Sequence, residues 1–214
     1  MKQVGGHGYF YGLPSILREQ GYRTIFFTTQ DPHFDNMQGF VRSHGMMDVY
    51  GIFDYDRSQE MSWLGVPDHV MFDSAYSRLR TCGALGERFF ATLLTGSNHG
   101  PWKFPDMPFD RVPQSEKNAD ELNSFKYADW ALGRFLQMVD NDPAFANTVV
   151  LVTADNGYQW KPATDLDLSI LHIPLFVLDT DRDLYPGARN HRLGHQCDIL
   201  PTVMGLVQRD YDNY

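Results

Sequence analysis

The run TVVLVTADNG at residues 148–157 is the strongest strand signal in the chain. Thr148 to Ala154 is a continuous β-branched and apolar segment of strand length. Such a run reads as a strand buried in a parallel or mixed sheet, because both of its faces must be covered. It stops directly at Asp155-Asn156-Gly157. In parallel α/β sheets ligands sit beyond the carboxyl ends of the strands. A carboxylate at such an end, ahead of a glycine turn, can hold a hard metal ion or position a base. Asp-Asn-Gly is also among the best turn-forming tripeptides. The spacing alone leaves both readings open.

Working outward from this strand gives an alternation of helices and strands. Toward the N-terminus, Ser115 to Val139 is the clearest helix, with Leu122, Phe125, Ala128 or Asp129, Leu132, Phe135, Leu136 and Val139 as its apolar stripe and Asp142-Pro143 as its break. Before it, Phe89 to Leu94 is another continuous apolar run, expected to be a buried strand, followed by a loop from Gly96 to Pro113. Val70 to Leu79 has helical spacing at Phe72, Tyr76 and Leu79, and Tyr50 to Asp68 has no clear period and reads as an irregular excursion. Phe34 to Val41 is expected to be a short helix followed by Gly45. Gly12 to Gly21 reads as a helix with Pro14 in its first turn and Gly21 at its end, leading into the strand Tyr22 to Thr28. Toward the C-terminus, Ile173 to Leu178 reads as a buried strand, and Ile199 to Val207 as a helix opened by Pro201-Thr202. There are no repeats, low-complexity tracts or linkers, so residues 1–214 are expected to form one α/β domain.

The bulk numbers agree with that class and exclude others. A chain of 214 residues, 43% of them apolar, can bury a sizeable core. A formal net charge of -9 argues against nucleic acid or anionic headgroups as non-specific partners, but not against a small anion at a locally positive site. Cys82 and Cys197 form no CxxC pair and read as two free thiols, with a disulfide between them as the alternative. No stretch approaches the roughly 18 apolar residues that span a membrane, and no N-terminal basic-then-apolar segment reads as a signal peptide.

Three strand ends carry polar clusters: Thr28 to Asp31, Thr95 to His99, and Asp155 to Gly157. His99 lies in a Ser-Asn-His-Gly-Pro loop, where a lone histidine is commonly structural or simply exposed. His195 precedes the last helix, with Asp198 near its start, a place where the helix dipole alone favours a carboxylate. His172 reads as packing or surface, Asp165 and Asp167 as loop charges, and the scattered Trp and Tyr residues as core or rim.

The order of these segments resembles the alkaline phosphatase superfamily, within it the sulfatase-like branch of lipoteichoic acid synthases and phosphoglycerol transferases. LPSILREQGYRTIFF (13–27) resembles that branch's helix-Gly-Tyr-strand unit, and HFDNMQGFVRSHGMMDVYG (33–51) its following loop and helix. WLGVPDHVMFD (63–73) resembles its Trp-Gly-x-x-Asp segment, and FFATLLTGSNHGPWKFP (89–105) its strand and Ser-x-His-x-Pro loop. KYADWALGRFL (126–136) resembles its Tyr-x-Asp-x-x-Leu helix, and TVVLVTADNG its strand running into Asp-His-Gly. HIPLFV (172–177) and GHQCDILPTVMGLV (194–207) resemble its last strand and its Asp-x-x-Pro-Thr helix.

The resemblance implies a sandwich of helices around a mostly parallel sheet. It implies metal-assisted transfer or hydrolysis of a sulfate, phosphate or phosphoglycerol ester, in which a divalent cation (Mn, Mg, Ca or Zn) stabilises developing charge. By position, Asp155 matches a metal-ligand aspartate and His99 a histidine that contacts the anionic group of the substrate. His195 lies close to where some members place another metal histidine. The chain departs from the pattern in two places. Asn156 stands where a histidine ligand normally follows the aspartate; its amide oxygen suits a hard cation such as calcium but is a poor zinc ligand. Thr28-Thr29 stands where lipoteichoic-type members have His-Gly.

The family's first strand, with its acidic ligand, and the helix carrying its nucleophile lie N-terminal to everything matched here, and the loop at residues 5–8 offers no replacement. The expectation is therefore a domain incomplete at its N-terminus, lacking the nucleophile and inactive alone, from a membrane-anchored parent whose domain faces away from the cytoplasm. An exposed apolar sheet edge, open to self-association, goes with that expectation. The alternatives are a degenerate protein that binds an anion or glycan without turnover, and an α/β interaction domain with no small-molecule site.

Overall fold

The structure is a computed structural model that describes residues 10–157, 164, 168–180 and 188–212. The loop at residues 5–8, Asp165 and Asp167 lie outside these. The chain forms two compact units, Met1–Ala144 with Tyr211–Tyr214, and Phe145–Asp210.

The first unit is built on a parallel three-stranded sheet in the order β2-β1-β3. β1 (Arg23–Thr28) is its centre, paired with β2 (Asp48–Tyr50) on one side and β3 (Phe89–Leu94) on the other. All residues of β1 after Arg23 are buried, as its continuous apolar run demands. Thr24 is tolerated there because its hydroxyl donates to the Gly45 carbonyl at 2.6 Å. β3 is half-buried along its whole length, less covered than its sequence predicts, since β1 shields one edge and nothing pairs the other among the described residues. β2 spans only three residues, too few to show a period, and lies where an irregular segment was expected to begin.

The helices of this unit begin and end where backbone chemistry dictates. α1 (Leu13–Glu19) has Pro14 in its first turn and buries Ile16 and Leu17. The helix expected from Phe34 is divided into a 3-10 turn at Phe34–Asn36 and α2 (Met37–Ser43). The cause is Asp35 and Asn36, which take left-handed φ values of 54° and 57° and interrupt the right-handed run. α3 (Asp68–Ala84) starts directly after Pro67 and buries Met71, Phe72, Ala75, Leu79 and Cys82.

α4 (Ala119–Asp140) begins four residues later than Ser115, after Asn118 in a left-handed conformation. Its buried stripe keeps Phe135 and Val139 of the expected one and shifts elsewhere. Asn123, Tyr127, Ala131, Phe135 and Val139 face inward, and Leu122 is 42% exposed. The polar members of this stripe are satisfied by backbone: Asn123 accepts from the Val112 N–H at 2.7 Å and donates to the Val112 carbonyl at 3.1 Å. α3 and α4 meet through a stacked Phe72–Phe135 pair, 4.8 Å between ring centroids.

The second unit carries β4 (Val149–Thr153) and β5 (Leu175–Asp179), an antiparallel pair, and α5 (Ile199–Leu206). Thr180 closes the ribbon by donating to the Phe145 carbonyl at 2.8 Å and accepting from the Thr148 N–H at 3.2 Å. The expectation that Ile173 to Leu178 is buried is corrected here. Leu175, Phe176, Val177 and Leu178 are 45%, 58%, 45% and 39% exposed, because a two-stranded ribbon cannot cover its own faces. Among the described residues, no helix is long and apolar enough to cross a membrane. Cys82 and Cys197 are both free, the first buried and the second exposed.

Candidate functional site

In the first unit, the carboxyl ends of β1 and β3 are pinned to the turn at residues 61–67. Thr29, just past β1, donates its hydroxyl to the Leu64 carbonyl at 2.8 Å, and its own carbonyl accepts from the Val66 N–H at 3.1 Å. Gly65 makes this approach feasible. Its φ is +87°, and a Cβ placed there would lie 1.8 Å from the Thr29 carbonyl oxygen. Gly96, just past β3, is equally constrained, because a Cβ there would lie 2.6 Å from the Thr29 hydroxyl. Thr28 and Thr29, which replace the His-Gly of the resembled pattern, are therefore buried structural groups with 0% and 1% exposure.

A shallow depression forms between the turn and the loop after β3, lined by Met61, Leu64, Pro67, Ser97, His99 and Lys103. His99 is exposed at its edge. Its Nδ1 lies 2.6 Å from the Gly100 carbonyl oxygen. A carbonyl can only accept, so Nδ1 carries the proton and Nε2 of the neutral ring holds the lone pair.

The ring of His99 stands edge-on to Trp63, with centroids 5.6 Å apart, and Trp63 in turn contacts Phe34 at 6.0 Å. These contacts link the loop after β3 to the loop after β1. In the latter, Asp31 accepts from the His33 backbone N–H at 2.8 Å and from the His33 Nδ1 at 2.9 Å. Both bonds hold the Asp31 carboxyl below its ordinary range, the backbone bond most. His33, like His99, has its Nδ1 proton engaged and its Nε2 directed elsewhere. Sequence reasoning reached Asp31 as a strand-end residue but missed His33 and Trp63. The available signal was an Asp-x-His spacing at a strand end, and a tryptophan two residues before a turn glycine.

In the second unit, Asp155 and Asn156 follow β4 and are exposed. Asp155 accepts from the Asn156 backbone N–H at 2.9 Å, a turn bond of the kind Asp-Asn-Gly favours. The Gln196 side chain donates to the Asp155 carbonyl at 2.8 Å, which brings the segment before α5 to the end of β4. His195, next to Gln196, caps a 3-10 turn at Gln196–Asp198: its backbone N–H donates to Asp198 at 2.7 Å, and its Nδ1 accepts from the Cys197 N–H at 3.3 Å. Asp198 is therefore tied to His195, beyond its expected place at a helix start. His172 is exposed.

A divalent cation is the cofactor to test against these groups. Asp155 and Asn156 offer oxygen donors, which suit Mg, Ca or Mn better than Zn. The 3.3 Å bond at His195 is long, and a metal at Nδ1 would displace only that bond. Among the described residues, no three His, Cys, Asp or Glu side chains converge as a ready metal shell. The donor types fit a hard cation; the convergent donors number fewer than a full shell.

The chain matches the family model described as Sulfatase over residues 3–208. It is 26% identical over 202 residues to Phosphoglycerol transferase I of Xanthomonas campestris pv. campestris, covering 92% of this chain and 29% of that protein. The chain thus spans less than a third of that relative's length. Among solved structures, it is similar to an alkaline phosphatase superfamily protein from Vibrio parahaemolyticus, with TM-score 0.83 and 26% identity over 94% of this chain and 48% of that one. It is also similar in fold to the lipoteichoic acid synthase LtaP of Listeria monocytogenes, with TM-score 0.80 and 22% identity over 98% of this chain and 55% of that one. Together with the parallel sheet, its flanking helices and the polar strand ends, these matches identify the chain as a member of the sulfatase family, with the fold of the alkaline phosphatase superfamily.

Proposed function

We propose that this chain contributes the substrate-anion contact and part of a divalent-cation site to an enzyme that transfers or hydrolyses a phosphate-type ester, phosphoglycerol being the first candidate. The observation that carries the reading is His99: an exposed imidazole at the end of β3, with Nδ1 fixed by the Gly100 carbonyl and Nε2 left to a ligand. The named relative, a phosphoglycerol transferase, supports phosphoglycerol over sulfate. Lys103 lines the same depression and adds positive charge to a molecule of net charge -9. Within the second unit, Asp155 and Asn156 supply oxygens to the cation and His195 adds a nitrogen. When bound, the cation supplies charge to offset the ester oxygens. No residue of this chain is assigned as nucleophile, so on this reading the chain by itself binds without turnover.

The test is calorimetric titration of glycerol 1-phosphate into the chain with Mn present. The expected result is binding, lost on His99→Ala at unchanged melting temperature. No binding, or binding indifferent to His99→Ala, overturns the reading. A second reading, a non-catalytic anion-binding protein, is favoured by Asn156 in place of the histidine ligand. It predicts the same titration with and without Mn. On the first reading the domain works outside the cytoplasm of its host. Protease added to spheroplasts tests this, and full protection refutes it.

A further inference from the structure

Asp68, the first residue of α3, is 1% exposed, and among the described residues no basic side chain pairs with it. Its Oδ1 accepts two successive backbone N–H groups of the loop after β3, Gly96 at 2.8 Å and Ser97 at 3.2 Å. Two adjacent amides converging on one oxygen fix the local backbone direction. The same loop is held from α4, where the Ser124 hydroxyl donates to the Ser97 carbonyl, and from β1, where Thr29 packs on Gly96. Two residues beyond Ser97 stands His99.

Folding alone does not account for a carboxylate here. Burial pushes the Asp68 carboxyl above its ordinary range, and the two loop amides and the Ser97 hydroxyl offset only part of this. The native state therefore holds the Asp68 proton more tightly than the unfolded chain. This cost sets in as pH rises through the unfolded carboxyl range and is complete above the folded value. The N-terminal dipole of α3 reduces that cost without removing it. A buried carboxyl group kept at this cost without a cation points to a role beyond stability.

We propose that Asp68 is a positioning residue, whose grip on the Gly96 and Ser97 amides sets the loop so that His99 meets the anionic ester. The ester part rests on the reading given under Proposed function. The grip itself is separable, because His99 stands edge-on to Trp63 and its ring protons report their own placement through the ring current of the indole.

The experiment uses the full chain with Asp68→Asn, which keeps shape and a neutral acceptor, and Asp68→Ala, which removes the acceptor. Asp73→Asn is the control, a residue of the same helix whose carboxylate pairs with Arg134 at 2.6 Å away from the loop. Two quantities are read by NMR: exchange of the Gly96 and Ser97 amides, and the ring-proton shifts of His99. Asp68→Asn is expected to speed both amides by about tenfold and to move the His99 ring shifts, with a larger effect in Asp68→Ala and none in Asp73→Asn. If Asp68→Ala fails to fold, Asp68→Asn carries the test. Unchanged exchange and ring shifts in Asp68→Asn overturn the proposal. So does a glycerol 1-phosphate affinity that stays the same in Asp68→Asn while wild type binds; the expected loss is threefold to tenfold. If wild type does not bind the ester at all, the functional reading fails, and exchange and ring shifts still decide whether Asp68 positions His99.

Discussion

Tyr127→Phe removes one oxygen from a side chain that is completely buried. The missing oxygen serves two bonds. It accepts from the His69 backbone N–H at 3.1 Å and pairs with the His69 Nδ1 at 2.8 Å. His69 is the second residue of α3, where a backbone N–H has no partner within the helix. Pro67, at the N-cap, makes no side-chain bond, so the phenol of α4 acts as the cap of α3. Loss of a cap costs about 0.5–2 kcal/mol, and leaving a half-buried donor unpaired costs about 1–3 kcal/mol. These describe largely the same bond, so the expected total is about 2 kcal/mol. For a chain of this length that lowers the melting temperature by about 4–8 °C. The assay is thermal unfolding followed by circular dichroism, with Asp73→Asn as a surface control expected to stay within about 0.5 kcal/mol. A Tyr127→Phe melt within about 1 °C of wild type would refute the claim that α4 caps α3.

Gly65→Ala forces a side chain into a left-handed backbone and onto the Thr29 carbonyl, 1.8 Å from the ideal Cβ. We expect a loss of about 2–4 kcal/mol in denaturant unfolding, and a loss below about 0.5 kcal/mol would contradict the pinning of β1 to the turn. Burial holds the His69 imidazole below its ordinary range. The unfolded chain then binds the proton more readily, so the His69 contribution is intact above about pH 6.5 and is lost as pH falls from there toward the folded value. Melting temperatures of wild type and His69→Gln across that range should converge as pH falls; parallel curves refute the assignment. Phe176, 58% exposed on β5, should lower self-association when changed to Ser while leaving unfolding within about 1 kcal/mol. Identical sedimentation of the two proteins would show that β5 is not the contact.

The strands were legible because they are continuous apolar runs: β1, β3 and β4 lie within about a residue of their expected bounds. What the runs could not show was coverage. An apolar run says that a strand seeks burial, not which surface supplies it, so β5 was expected to be buried and is open. Polarity misled in the opposite direction on α4, where Asn123 and Ser124 are buried because loop backbone satisfies them. Short elements escaped for lack of period, as in β2, and the helix after Phe34 was divided by left-handed Asp35 and Asn36 that no periodicity reveals. At the site, His99 and Asp155 were found because each ends a strand. His33, Trp63 and Asp68 were missed because their significance lies in contacts made across the fold, 28 residues in sequence between Asp68 and the Gly96 amide it holds.

The central claim is that the ends of β3 and β4 carry the groups that meet an anionic ester and a hard cation. The direct measurement is a crystal structure of the chain grown with Mn and glycerol 1-phosphate, with anomalous scattering recorded at the manganese edge. The account predicts an anomalous peak on the oxygens of Asp155 and Asn156, and a phosphate oxygen within hydrogen-bonding distance of His99 Nε2. A peak elsewhere, with the ester absent from His99, would contradict it.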